Sequence, residues 1–167
     1  QTRFSSSTSF DSDGNIENGT ATTAVLKNGI QTGITSVVYE NGKVASTSEQ
    51  TQEIDDSARE FDVQRSGKYK EGKLIDLTET YYDKFAAPET RRPVKTINTN
   101  FEAVSEWTSD NKPKTGRIQM KITNHEKEDE VTKIDSHYTN AEVTRSIETW
   151  MNRGGTLKLK ETDVSYN

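Results

Sequence analysis

The chain contains no cysteine, and only three prolines and two histidines are spread over its 167 residues. Without thiols there is no disulfide framework, no thiolate zinc site and no cysteine nucleophile. Large apolar side chains are scarce too. Leu, Ile, Val and Phe together supply 30 of 167 residues, below the roughly 20% share under which a compact core becomes doubtful. Any core is therefore expected to be thin. Disorder, the other outcome of low hydrophobicity, needs a high net charge as well. Here 22 basic and 27 acidic residues are interspersed and leave a net charge of only -5, so a folded chain is expected.

Further absences narrow the class. No apolar run approaches the roughly 18 residues of a membrane-spanning helix, and no charged-then-apolar leader stands at the start. The acidic balance lacks the basic stripe that a phosphate backbone demands; the longest basic cluster, Arg91-Arg92 near Lys95, is short. Neither nucleic acid nor membrane insertion is expected. Taken as a native start, Gln1 implies a leader removed upstream, which favours export.

Turn pairs and β-formers are what the chain does have. From Asp13 to Ser48, Asn18-Gly19, Asn28-Gly29 and Asn41-Gly42 punctuate runs of Thr, Val and Ile. Asn-Gly suits tight hairpins because both central residues take positive φ. Ile30, Thr32, Ile34, Ser36 and Val38 alternate with Gln31, Gly33, Thr35 and Val37, the period of a strand, and Val44, Ser46 and Ser48 continue with small, partly hydroxylic side chains. In the opening QTRFSSSTSF, Phe4 and Phe10 are evenly spaced and predict one extended strand with both rings on one face. Residues 1–10 read as a pairing strand or a tail.

Between Glu53 and Arg65, Ile54, Ala58 and Phe61 fall at helical spacing behind Asp55 and Asp56, which predicts a short helix. Tyr69, the Glu71-Gly72 turn and Leu74 to Tyr82 return to strand chemistry, and residues 86–93, with Pro88 and Pro93, form a loop break. Beyond it, VKTINTNFEAVSEW, RIQMKIT and Val131 to Tyr138 are strand candidates. Ile118, Met120 and Ile122 define a buried face; Arg117, Gln119 and Lys121 define a wet one. Thr139-Asn140-Ala141-Glu142 has the form of a capping box, and Val143, Ile147, Trp150 and Met151 follow at helical spacing before Gly154. Helix is the reading here, with strand the competitor because Val143, Ile147 and Met151 are also evenly spaced. TLKLKETDV closes the chain as a half-buried strand, Leu157 and Leu159 against Lys158 and Lys160. The stretches KNGIQTGITSVVYENGK and SGKYKEGKLIDLTETYYDK share a glycine turn, a strand and an aromatic. They resemble MORN-type hairpin repeats, although the aromatic and glycine positions do not recur at constant spacing, and no function is carried over.

Chemistry-bearing groupings are few. His125 and His137, with Glu126, Glu128, Asp129, Glu130 and Asp135 nearby, would bind a divalent metal only if the imidazoles met across a hairpin. Asp11, Asp13, Asn15 and Glu17 begin like a calcium loop, but Ile16 stands where the sharp bend needs glycine and Thr22 where the loop needs glutamate. Trp107, Trp150, Tyr81 and Tyr82 are candidates for a sugar-binding surface or for the largest pieces of a sparse core. Asn18-Gly19-Thr20 is an N-glycosylation sequon, and Arg153-Gly154-Gly155 lacks the rest of a phosphate loop. No catalytic, cofactor-binding or metal-binding residue is assigned.

The expectation is a single β-rich domain over residues 1–167. Its fold is mainly β, an antiparallel hairpin meander forming a sandwich, half-barrel or extended sheet, with one or two short helices. The expected function is that of a non-enzymatic structural or assembly protein, extracellular or at the cell surface, without cofactors. It would be a homo-oligomer or one subunit of a larger assembly. The alternative is a small ligand-binding β-barrel.

Overall fold

The computed structural model describes residues 1–110, 112–127, 130–151 and 157–163, the last stretch by its backbone. The strands are β1 (Thr2–Phe4), β2 (Ser9–Phe10), β3 (Ile16–Lys27), β4 (Ile30–Glu40), β5 (Lys43–Ile54), β6 (Glu60–Lys70) and β7 (Lys73–Asp83). They continue with β8 (Pro93–Asn100), β9 (Val104–Trp107), β10 (Pro113–Asn124), β11 (Glu130–Thr139), β12 (Glu142–Met151) and β13 (Leu157–Asp163). The expected antiparallel meander is what forms.

Turn chemistry sets the strand ends. Asn28-Gly29, Asn41-Gly42 and Glu71-Gly72 all have positive φ at both residues, as two-residue hairpins of the primed type require, and they join β3 to β4, β4 to β5 and β6 to β7. Asn140-Ala141, with φ of 52° and 69°, does the same between β11 and β12 without a glycine.

The described chain divides into two compact units: residues Gln1–Leu74 with Glu79–Pro93, and Ile75–Thr78 with the described residues from Val94 on. In the first, β1 and β2 both lie along β3, and β4, β5 and β6 follow in chain order. Its registers put Thr23, Thr35, Glu49 and Arg65 in one row across the sheet, and Ala21, Val37, Thr47 and Gly67 in the next. Among described residues, Phe61 and Val63 of β6 are the only apolar side chains fully withdrawn from water, at 7% and 1% exposure. In the second unit the order is β8, β10, β11, β12, β13, with β9 also on β10. Thr99 is its fully buried polar residue. Within each unit the strand order is open.

Several expectations change. The helix over 139–154 gives way to strand. Glu142–Met151 pairs along its whole length with β11 and on its other side with β13, and the left-handed backbone of Asn140 and Ala141 cannot form the first turn of a helix. The β-branched Val143, Thr144, Ile147 and Thr149 fit the pleat better than a helix. Gly154 lies outside the described residues. The expected helix between Glu53 and Arg65 is replaced by a turn between β5 and β6. The Asp55 carboxylate accepts the Ser57 and Arg59 backbone N–H groups at 2.9 Å each, and the Ser57 hydroxyl at 2.6 Å. Such local bonding competes with a helix for the same backbone. Among the described residues the one helical element is a single 3-10 turn, Pro88–Thr90, within the 86–93 loop.

The opening strand breaks into β1 and β2, folded around a turn at Ser5–Thr8, so Phe4 and Phe10 meet edge to face at 5.7 Å across two strands. Asn18-Gly19 is not a hairpin turn: it lies inside β3, where a Cβ on Gly19 would come within 2.5 Å of Thr8 Oγ1. Glycine there permits close backbone approach. Ile118, Met120 and Ile122 do share a face, but that face is half-buried.

Candidate functional site

Pairing in the second unit brings polar side chains from separate stretches of chain onto one face. Asn98 of β8, Lys121 of β10, Lys133 of β11 and Thr149 of β12 stand opposite one another in a row, and Asn100, Gln119, Asp135 and Ile147 form the adjacent row. The local reason is alternation: each residue is separated from the next on its strand by one that points to the other face. With Asp76 of β7 they line a groove of about 470 Å³, to which Ile147 adds apolar surface.

Some of these groups are fixed. Asn98 Nδ2 donates to Thr78 Oγ1 at 2.9 Å, and Asn100 Oδ1 accepts the Glu102 backbone N–H at 3.1 Å. Arg117 clamps Asp135: its Nε donates to Oδ1 at 2.7 Å and to Oδ2 at 2.9 Å, while Nη2 donates to Oδ2 as well. That hydrogen bonding, opposed by partial burial and aided by the charge of Arg117, holds the Asp135 carboxyl below the usual aspartate range. The side chains of Asp76, Gln119, Lys121, Lys133 and Thr149 make no hydrogen bond or ion pair among the described residues. Two ammonium groups on directly opposed residues repel each other. The row thus offers unpaired positive charge beside amide, hydroxyl and carboxylate groups, an arrangement suited to holding a polar molecule.

A second cluster, in the first unit, is satisfied internally. Arg65 of β6 donates from Nε to Glu79 Oε2 at 2.7 Å, from Nη1 to Glu49 Oε1 at 3.2 Å, and from Nη2 to Glu53 and, at 3.5 Å, to the Tyr81 hydroxyl. Burial works against the guanidinium charge, and the bonds to Glu53 and Glu79 outweigh it, so the Arg65 pKa is raised. Burial, followed by the charges of Glu79 and Glu53, pushes the Tyr81 hydroxyl up. Tyr81 packs edge to face on Phe61 at 5.8 Å. Every strong donor of this fork is engaged, and its role is to tie β5, β6 and β7 together.

The residues singled out from sequence are mostly kept apart. His125 sits at the turn of the β10–β11 hairpin, with Nε2 at 2.9 Å from Thr96 Oγ1. His137 stands opposite Arg117, seven residues along β10 from Asn124, which is about 24 Å at strand rise. The imidazoles cannot share a metal; Glu128 and Asp129 lie outside the described residues. No group of three or more described His, Asp or Glu residues is arranged to hold one. Asp11 spends its carboxylate on its own turn, accepting the backbone N–H groups of Asp13 at 2.9 Å and Asn15 at 2.8 Å. Tyr81 and Tyr82, adjacent on β7, face opposite ways, and Arg91 stacks over Tyr82 at 4.6 Å. Trp107 leans on Phe101 at 6.0 Å, and Trp150 is half-buried opposite Thr132. In the sequon, the Asn18 side-chain Oδ1 accepts the Asn41 backbone N–H at 3.1 Å. Arg153-Gly154-Gly155 lies outside the described residues. The groove was not singled out from sequence, although the wet face of Arg117, Gln119 and Lys121 was its visible part. Comparison with protein-family models, with curated proteins and with solved structures gives no match to this chain.

Proposed function

We propose that the chain is a non-enzymatic structural or assembly protein, exported or surface-borne, whose strands associate with copies of itself or with neighbouring subunits. The observation that carries this reading is the distribution of apolar surface. Phe61 and Val63 are buried, while Phe4, Phe10, Val25, Leu26, Ile30, Ile54, Phe85 and Met151 are exposed large hydrophobics. Three of them crowd the tip of the β3–β4 hairpin, where Leu26 is 55% and Ile30 70% exposed. There the outer edge of β3 is also open: β2 and β1 pair with residues only as far as Thr23, and Ala24 is held by Gln1. An unpaired edge beside exposed aliphatic side chains is a template for strand addition. The short β1 and the bulge at Val25/Leu26 are the usual means of limiting such pairing to a chosen partner.

The ligand-holding barrel is the weaker reading, since an open strand order encloses no interior. The test is light scattering on a size-exclusion column, with negative-stain images of the same fractions, over a range of concentrations. Species that grow with concentration support assembly. A sharp, concentration-independent peak at 18.8 kDa overturns it.

A further inference from the structure

We propose that the groove of the second unit binds an acidic saccharide, a molecule with one carboxylate and several hydroxyls, as in a uronic acid. This is independent of the assembly reading. Three observations define the ligand. First, Lys121 and Lys133 are direct cross-strand neighbours, so their ammonium groups can converge on one anion, and among the described residues neither has a carboxylate partner of its own. Several cations elsewhere are neutralised by acids, Arg65 by three glutamates, Arg91 by Asp62 at 2.8 Å and Arg117 by Asp135. The opposed lysines have no such partner among the described residues, and bringing an anion to them relieves their repulsion.

Second, the neighbouring row is made of acceptors and amides. Gln119, Asn100 and Asp135 stand beside the lysines, and Asp76 adds a carboxylate with no partner among the described residues. Carboxylates next to the cationic row repel a polyanion such as a sulfated chain or a phosphodiester, yet accept hydrogen bonds from sugar hydroxyls. One charge at one end and hydroxyls at the other is the complement of this groove.

Third, size and surface agree. A volume of about 470 Å³ falls within the roughly 300–1,000 Å³ of small-ligand sites, and Ile147, in the same row as Asp135, offers apolar surface to the C–H groups of a pyranose ring.

The experiment is a chemical-shift titration of the full chain with galacturonate, with galactose, acetate and sulfate as separate probes. Galacturonate is expected to give saturable shifts clustered at Asn98, Gln119, Lys121, Lys133 and Thr149. Galactose, which lacks the carboxylate, and acetate, which lacks the hydroxyls, should each bind about tenfold more weakly or worse. Both lysines are exposed, so K121Q and K133Q should fold; each should weaken galacturonate by about tenfold, whereas K43Q, in the first unit, should leave it unchanged. No saturable shift with galacturonate, or shifts that survive K121Q and K133Q, would overturn the proposal. So would acetate or sulfate binding as tightly as galacturonate, which would reduce the groove to a simple anion site.

Discussion

Arg65 shows how a single side chain serves in place of a core. Its guanidinium reaches Glu49, Glu53 and Glu79 from a position 21% exposed, so removing it leaves three carboxylates near one another with no cation between them. Because Glu49 and Glu53 are more than a third exposed, solvent screens part of this loss. R65M should lower the unfolding free energy by about 2 kcal/mol, and R65K, which keeps the charge but not the fork, by about half that; urea unfolding reads both. Asp135 provides a pH-dependent counterpart. Its folded pKa is depressed, so the stability it contributes is present above roughly pH 4 and is lost as pH falls through the folded value. The difference in thermal midpoint between wild type and D135N should stay constant above about pH 5 and shrink below about pH 4. A difference that grows on acidification would contradict the Arg117 clamp.

At the scale of elements, the hairpins are held by turns whose chemistry differs from one to the next. Ala141 sits at φ 69°, a conformation that costs an alanine about 1 kcal/mol and a glycine almost nothing. A141G should therefore stabilise the β11–β12 hairpin by about that amount in a melting or denaturant series. Gly116 is the opposite case. With φ +134° at a register shift between β9 and β10, a Cβ would lie 2.3 Å from the Ala103 carbonyl oxygen, and G116A should destabilise by about 2 kcal/mol or more. These turns also explain what could be read in advance. Asn28-Gly29, Asn41-Gly42 and Glu71-Gly72 carry glycine where positive φ is needed, and the strands around them followed. Asn140-Ala141 carries none, so its residues resembled a helix cap instead; Asn18-Gly19 has the right residues for a turn, but Thr8, eleven positions before Gly19, decides their conformation by packing on it. The groove was less legible still. Lys121 and Lys133 belong to one hairpin, but Asp76, Asn98 and Thr149 reach it through registers that no local pattern records.

For the whole molecule, little apolar surface leaves water in the single chain, and the heat capacity of unfolding follows that surface. A compact domain of this length would show about 2 kcal/mol/K; calorimetry of the dilute chain should give clearly less. Association should be governed by the exposed hairpin tip. L26K and I30K, at positions 55% and 70% exposed, should leave the circular dichroism spectrum unchanged and shift light scattering toward the monomer. Equal association in all three proteins would move attention away from the β3 edge. The sparse supply of large apolar residues foretold the thin core, because the number of side chains available for burial is set by composition; which ones end up exposed depends on pairing.

The nearest-neighbour order of the strands bears on how the chain acquires its shape. In the first unit β3 to β6 each pair with the strand just before or just after in the chain, and β10 to β13 do so in the second. Loops that join such partners are two residues long at several points, so little entropy is lost in bringing them together. A chain emerging end first from a ribosome or a narrow pore can complete each pairing as soon as the next strand is out, without waiting for its far end.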